Sequence, residues 1–115
     1  MEGSRIRSEQ ADLLMKAVLA LRDEDDAYRF FEDLCTIAEV HSLAQRFTVA
    51  RMLRENVKYQ DIARQTGAST ATISRVNRAK EYGADGYNRV LDLLEAQGVI
   101  PCSSAESDPR PKTEE

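Results

Sequence analysis

An all-α fold of about six short helices is predicted by three features of the sequence. Apolar residues recur at helical spacing, helix-starting signatures precede most of those runs, and turn residues separate them. No segment alternates convincingly with the period of two that a strand requires. At 115 residues the chain is one small domain's worth of polypeptide.

The elements follow in order. Ser8 is a good N-cap, and Leu14, Ala17, Val18 and Leu21 behind it form one apolar stripe. The acidic run Asp23–Asp26 suits the start of a second helix, where the backbone dipole favours negative charge. That helix carries Tyr28, Phe31, Leu34 and Cys35 on one side. Thr36-Ile37-Ala38-Glu39 has the T-x-x-E form of a capping box, and Ser42-Leu43-Ala44-Gln45 has the related S-x-x-Q form. Two helix starts are therefore expected, a short helix after Thr36 and a longer one running to about Glu55. A pair of short helices is expected between Val57 and Lys80. Beyond Gly83 and the Asp85-Gly86 turn, Tyr87, Val90, Leu91 and Leu94 make a last amphipathic helix, ended by Gly98 and Pro101. The chain thus divides into an N-terminal arm (1–7), a helical domain (8–97, with a helix-turn-helix at 59–80) and a disordered polar tail (98–115) that has nothing to bury. Short helices make a thin core, and sharing that core with a second copy is the expected remedy: a homodimer.

Charge is distributed in a directional way. The net charge is −4, yet residues 45–80 carry eight basic residues (Arg46, Arg51, Arg54, Lys58, Arg64, Arg75, Arg78, Lys80) against two acidic ones (Glu55, Asp61) and stand at +6. The flanking segments 1–44 and 81–115 are each −5. A basic segment on an acidic body lets one face approach a polyanion while the rest repels it.

Other classes find little support. His41 is the only histidine, and beside Val40 and Leu43 it reads as a packed or surface residue rather than a base. The consecutive carboxylates at 23–26 point in different directions on a helix, which does not make a metal site. No glycine-rich phosphate loop or nucleophile–base pair is present, so no enzyme activity and no cofactor are expected. Cys35 reads as a buried structural thiol and Cys102 lies in the tail. The absence of a secretory signal, of an apolar run long enough for a membrane and of a disulfide framework fits the cytoplasm.

The stretch YQDIARQTGASTATISRV, residues 59–76, carries the functional reading. A helix-turn-helix needs apolar residues where its two helices meet, a small residue where they cross and a left-handed residue in the turn. Ile62, Ala63 and Gly67 supply these, and Ile73 and Val76 return apolar side chains from the second helix. The separations Ala63 to Gly67 and Gly67 to Ile73 are those of the DNA-binding form of the motif. Ser69 is the expected N-cap of the second helix. Thr70, Ala71 and Ser74 are expected to project toward base edges, and Thr72 or the helix amides toward phosphate. Arg75 and Arg78 continue the exposed face, while Gln60 and Arg64 on the first helix are expected to reach the flanking backbone or the edge of the site. The first turn holds no arginine or asparagine for bidentate base reading, so specificity leans on water and DNA shape. The rival reading is a helical module that docks a protein without sequence-specific DNA binding. Salt separates the two, because contacts to phosphates weaken steeply as salt rises.

The segments SLAQRFTVARML, GASTATISRV and YGADGY together resemble the Trp repressor-like family, most closely its YerC/YecD branch, over about residues 8–95. The resemblance implies an intertwined homodimer in which each subunit presents one helix-turn-helix to double-stranded DNA. The output is then transcriptional regulation, with repression favoured. Two readers would engage successive major grooves, about 34 Å apart, on a roughly palindromic site. In the tryptophan-sensing repressor, arginines clasp the indole. One of them matches Arg75 here, and the other falls near Gln45 or Arg46, depending on where a one-residue gap is placed. The glycine that makes room for the ring matches Val76, and the serine that meets the amino group matches Ala79. A branched side chain in the indole slot opposes tryptophan as a corepressor, which leaves Arg75 for phosphate.

Overall fold

Six α-helices make up the regular structure of the described residues, 5–102, in this computed structural model, and no strand occurs among them. They are α1 (Glu9–Leu19), α2 (Glu24–Leu34), α3 (Ile37–Arg54), α4 (Tyr59–Thr66), α5 (Thr70–Tyr82) and α6 (Gly86–Ala96). The all-α expectation and the number of helices both hold. Most of the arm, residues 1–4, and residues 103–115 of the expected tail lie outside the described residues. The chain divides into two units, Met1–Val40 and His41–Glu115.

The first unit is built on caps. Ser8 Oγ accepts from the Ala11 amide at 3.0 Å and starts α1. Asp23 Oδ1 accepts from the Asp26 amide at 2.9 Å and starts α2, whose first turn is entirely acidic as the dipole prefers. Thr36 and Glu39 close a reciprocal capping box at the start of α3: the Glu39 amide donates to Thr36 Oγ1 at 3.1 Å, and the Thr36 amide donates to Glu39 Oε1 at 2.8 Å. No described residue of this unit is fully buried. The expected stripe is turned inward only in part: Ala17, Val18 and Leu21 are half-buried, while Leu14 is exposed. Cys35, expected as a buried thiol, is half-buried at the end of α2, where the backbone turns extended and leaves it outside a core.

The helix start expected at Ser42 does not exist, because α3 runs unbroken from Ile37 to Arg54. A capping-box pattern signals a start only where the chain enters the helix. Ser42 sits inside one, and the upstream Thr36–Glu39 box has already satisfied the free amides.

The second unit holds the core. Val49, Ala50 and Met52 from α3, Ile62 from α4, Ala68 from the α4–α5 link, Ile73 and Val76 from α5, and Leu91 from α6 are buried together. Each fully buried aliphatic side chain stabilises by roughly 1.5–3 kcal/mol. Left-handed residues close α3 and α6 with the same hydrogen-bond pattern. At Asn56 (φ 63) the Val57 amide reaches Met52 O and the Asn56 amide reaches Leu53 O. At Gly98 (φ 77) the Val99 amide reaches Leu94 O and the Gly98 amide reaches Glu95 O. Within the stretch assigned to the tail from sequence, Ile100 packs against the core.

Candidate nucleic-acid interface

The α4–α5 pair is a helix-turn-helix whose inner face is apolar and whose tip is small and polar. Ile62 and Ile73 are fully buried and Val76 nearly so, which sets the inner face of the pair in the core that α3 and α6 also line. Gly67 adopts φ 77 and ends α4, its amide donating to Ala63 O at 2.9 Å. A β-carbon in that left-handed conformation is strained, which is why the turn carries glycine. Ala68 is buried, so the chain turns inward once before it emerges at Ser69.

Ser69 starts α5. Its Oγ accepts from the Thr72 amide at 3.0 Å and donates to Thr72 Oγ1 at 3.1 Å. The Thr72 side chain is half-buried, and its hydroxyl is tied to the cap. Thr70, Ala71, Ser74, Arg75 and Arg78 are all exposed, as are Gln60 and Arg64 on α4. The fold therefore brings the small tip and two arginines onto one helix, at i, i+1, i+4, i+5 and i+8 counted from Thr70.

The basic segment is less available than its count implies. Arg51 pairs with Glu55 at 3.0 Å, Arg64 with Asp61 at 2.7 Å, and Lys80 approaches Glu81 at 3.8 Å. Arg54 pairs with Asp92 at 2.6 Å and Glu95 at 3.1 Å and joins α3 to α6. Hydrogen bonding to the Asp92 carboxylate is the main cause that raises the Arg54 pKa above its ordinary value. Arg46, Lys58, Arg75 and Arg78 have no ion-pair partner among the described residues. Of these, Lys58 is exposed at the N-terminal boundary of α4, although it is not among the contacts expected from the sequence.

Several residues that hold the motif also escape sequence reasoning. Thr66 Oγ1 donates to Ile62 O at 2.7 Å and accepts from the Ala68 amide at 3.1 Å. Gln45 Nε2 donates to Thr66 O at 3.1 Å, across 21 positions of sequence. Asn88 Nδ2 donates to Lys80 O at 3.0 Å, near the far end of α5. Only Thr66 carries a local signal, as a hydroxyl directly before the turn glycine. The other two act over distances that pattern does not reach.

A helical body with a capped second helix in a helix-turn-helix makes this an all-α protein carrying the arrangement that DNA-binding proteins use. The family model described as Trp repressor protein matches residues 9–95. The chain belongs to the Trp repressor family, whose members are DNA-binding regulators. It is 53% identical over 94 residues to the uncharacterized protein YerC of Bacillus subtilis (strain 168), covering 82% of this chain and 90% of YerC. Among solved structures it is similar to a TrpR-like protein from Eubacterium eligens ATCC 27750. That match has 55% identity and a TM-score of 0.75, over 84% of this chain and 96% of that one. It is also similar to a candidate Trp repressor from Staphylococcus aureus, at 42% identity and a TM-score of 0.77, over 83% and 95% of the two chains.

Proposed function

We propose that the chain is a cytoplasmic transcriptional repressor that reads a roughly palindromic site as a homodimer, with Thr70, Ala71 and Ser74 against base edges and Arg75 and Arg78 against phosphates. Ser69 caps the reading helix, Thr72 or the helix amides face the strand, and Gln60 and Arg64 flank the site. The observation that carries this reading is the exposure of that small, neutral tip on the same helix as two arginines that no carboxylate among the described residues engages. Small side chains allow close approach to a groove floor, and cations behind them draw in the strands.

The homodimer rests on uncovered apolar surface. Leu13, Leu19, Ile37 and Tyr82 are between 70% and 85% exposed. An open groove of about 430 Å³, lined by Phe47, Ala79, Ala84, Gly86, Tyr87 and Val90, adds to it. Apolar surface on this scale favours a covering partner, and a second copy is the partner always at hand. Val76 matches the glycine that makes room for the indole ring in the tryptophan-sensing repressor, and its branched side chain is buried, so tryptophan is not expected as a corepressor.

Gel shifts on a selected duplex and on a scrambled one test the division of labour. Arg75→Ala and Arg78→Ala should weaken binding to both duplexes and lower the salt slope by about 1 each. Thr70→Ala and Ser74→Ala should change the preference between them. Equal losses on both duplexes for all four variants reject the assignment, and monomeric sedimentation at micromolar concentration rejects the dimer. A wild-type chain that ignores duplex DNA at low salt favours the protein-docking alternative.

A further inference from the structure

We propose that Gln45 is a positioning residue for the reading tip: its side-chain amide fastens the α4–α5 link to α3 and so sets where α5 meets DNA. The inference rests on the DNA-reading function proposed above and adds a residue that does not touch DNA.

Thr66 is the last residue of α4, and a carbonyl at a helix end has no intrahelical donor. Gln45 Nε2 supplies one at 3.1 Å. The same nitrogen lies 4.0 Å from the place a β-carbon on Gly67 would take, so the amide sits directly over the turn. Thr66 is held from its other side as well, by the bonds of its hydroxyl to Ile62 O and the Ala68 amide. The link of Gly67, Ala68 and Ser69 is thus tied to α4 through Thr66 Oγ1 and to α3 through Gln45. The α3 end of this fastening is rigid, because Val49, Ala50 and Met52 on the same helix are all in the core.

Apolar burial of Ala68, Ile62 and Ile73 seats the motif, but burial is non-directional and leaves small tilts inexpensive. A hydrogen bond at the turn removes that freedom. A tip that reads bases must hold its place to about half an ångström. A tip freed of the Gln45 bond must be ordered when DNA binds, which weakens affinity on every sequence alike. Gln45 carries no charge, so its loss should leave the salt slope unchanged. That separates it from a phosphate contact.

Two substitutions test the assignment. Gln45→Met keeps length and volume and removes the donor. Affinity for the selected duplex should fall roughly five- to tenfold, the scale of one hydrogen bond. The salt slope should stay fixed, and the amides of Gly67 and Ala68 should exchange faster while that of Met52 does not. Gln45→Glu sets a carboxylate against the Thr66 carbonyl and should lose at least as much at neutral pH. As pH falls from about 7.5 toward about 4.5 a growing fraction of the carboxyl gains a proton and with it a donor. The Glu variant's deficit relative to wild type should then shrink, whereas the Met variant's deficit stays constant. Wild-type affinity and exchange in Gln45→Met, a Gln45→Glu deficit indifferent to pH, or a changed salt slope in Gln45→Met would each overturn the assignment while leaving the DNA-reading function standing. A wild-type chain that binds no duplex would overturn both.

Discussion

Arg54 and Asp92, 38 residues apart, meet through a 2.6 Å hydrogen bond that ties the end of the long core helix to α6. The guanidinium is only 15% exposed and also reaches Glu95, itself 15% exposed, at 3.1 Å, while its own Nε is buried with no hydrogen-bond partner. A base that sequence places in a polyanion-facing segment is therefore spent inside the fold. Arg54→Met should destabilise by roughly 1–3 kcal/mol, because the poorly exposed Glu95 carboxylate loses its guanidinium. Asp92 is 67% exposed, so Asp92→Asn should cost less than about 1 kcal/mol. Urea titrations measure both. Neither variant should alter the salt slope of DNA binding, and a reduced slope in Arg54→Met would show that this arginine faces phosphate after all.

Ser69 joins fold and function at one residue. Ser69→Ala removes the acceptor of the Thr72 amide and should cost about 1 kcal/mol of stability. Ser69→Asp keeps a strong cap and adds a negative charge at the tip. Thermal melts should rank Asp at least equal to Ser and above Ala, whereas affinity for DNA at low salt should rank Asp last. Matching ranks in the two assays would mean that the tip does not face a polyanion.

The parts of the fold legible in the sequence are those set by neighbours within about one helical turn. Ser8, Asp23, the Thr36–Glu39 pair and Ser69 all act as the caps their patterns imply, and Gly67 turns left-handed where the spacing places it. Ile62, Ile73 and Val76 are buried as the periodicity predicts. What could not be read is what acts across the chain. Gln45 fits a capping box by type and spacing, and only the folded chain places it against Thr66. The eight basic residues look alike in sequence, but Arg54 finds carboxylates that lie next to it only once α6 has packed. Periodicity likewise names the apolar face of a helix without saying whether anything covers it. Leu13 and Leu34 remain half or more exposed on helices whose amphipathic character is plain.

Gly83 is required for space rather than for backbone freedom. Its φ of −88 is ordinary, but a β-carbon there would lie 2.4 Å from the carbonyl oxygen of Ala79, one turn back in α5. Both the atom and its carbonyl carbon, 3.1 Å away, are backbone and do not swing aside. Gly83→Ala should therefore shift the last turn of α5 and destabilise by roughly 1–3 kcal/mol. The shift should reach Lys80, whose carbonyl accepts from Asn88, and so loosen the entry to α6. Denaturation measures the loss, and amide exchange at Arg89, whose amide bonds to Asp85 O, locates it. An alanine variant as stable as the wild type would place the α5 terminus elsewhere.

In the first unit, Asp26 gives the pH dependence a definite sign. Its carboxylate accepts from Arg22 Nε at 3.1 Å and from the Arg22 amide at 3.2 Å, and these bonds, the side-chain one first, hold its pKa below the ordinary 3.8. A folded-state pKa below the unfolded one means that the unfolded chain binds the proton more readily. The group's contribution to stability is therefore complete above the unfolded value, at about pH 5, and is lost as pH falls through the depressed folded value. Arg22→Gln removes the larger cause and leaves the backbone bond, so the Asp26 midpoint should move up part of the way toward 3.8 without reaching it. Carboxyl carbon shifts followed by NMR against pH give that midpoint directly. Identical midpoints in the two proteins would mean that the Arg22 side chain does not hold this carboxylate in solution, and the acid limb of the unfolding curve should then be unchanged as well.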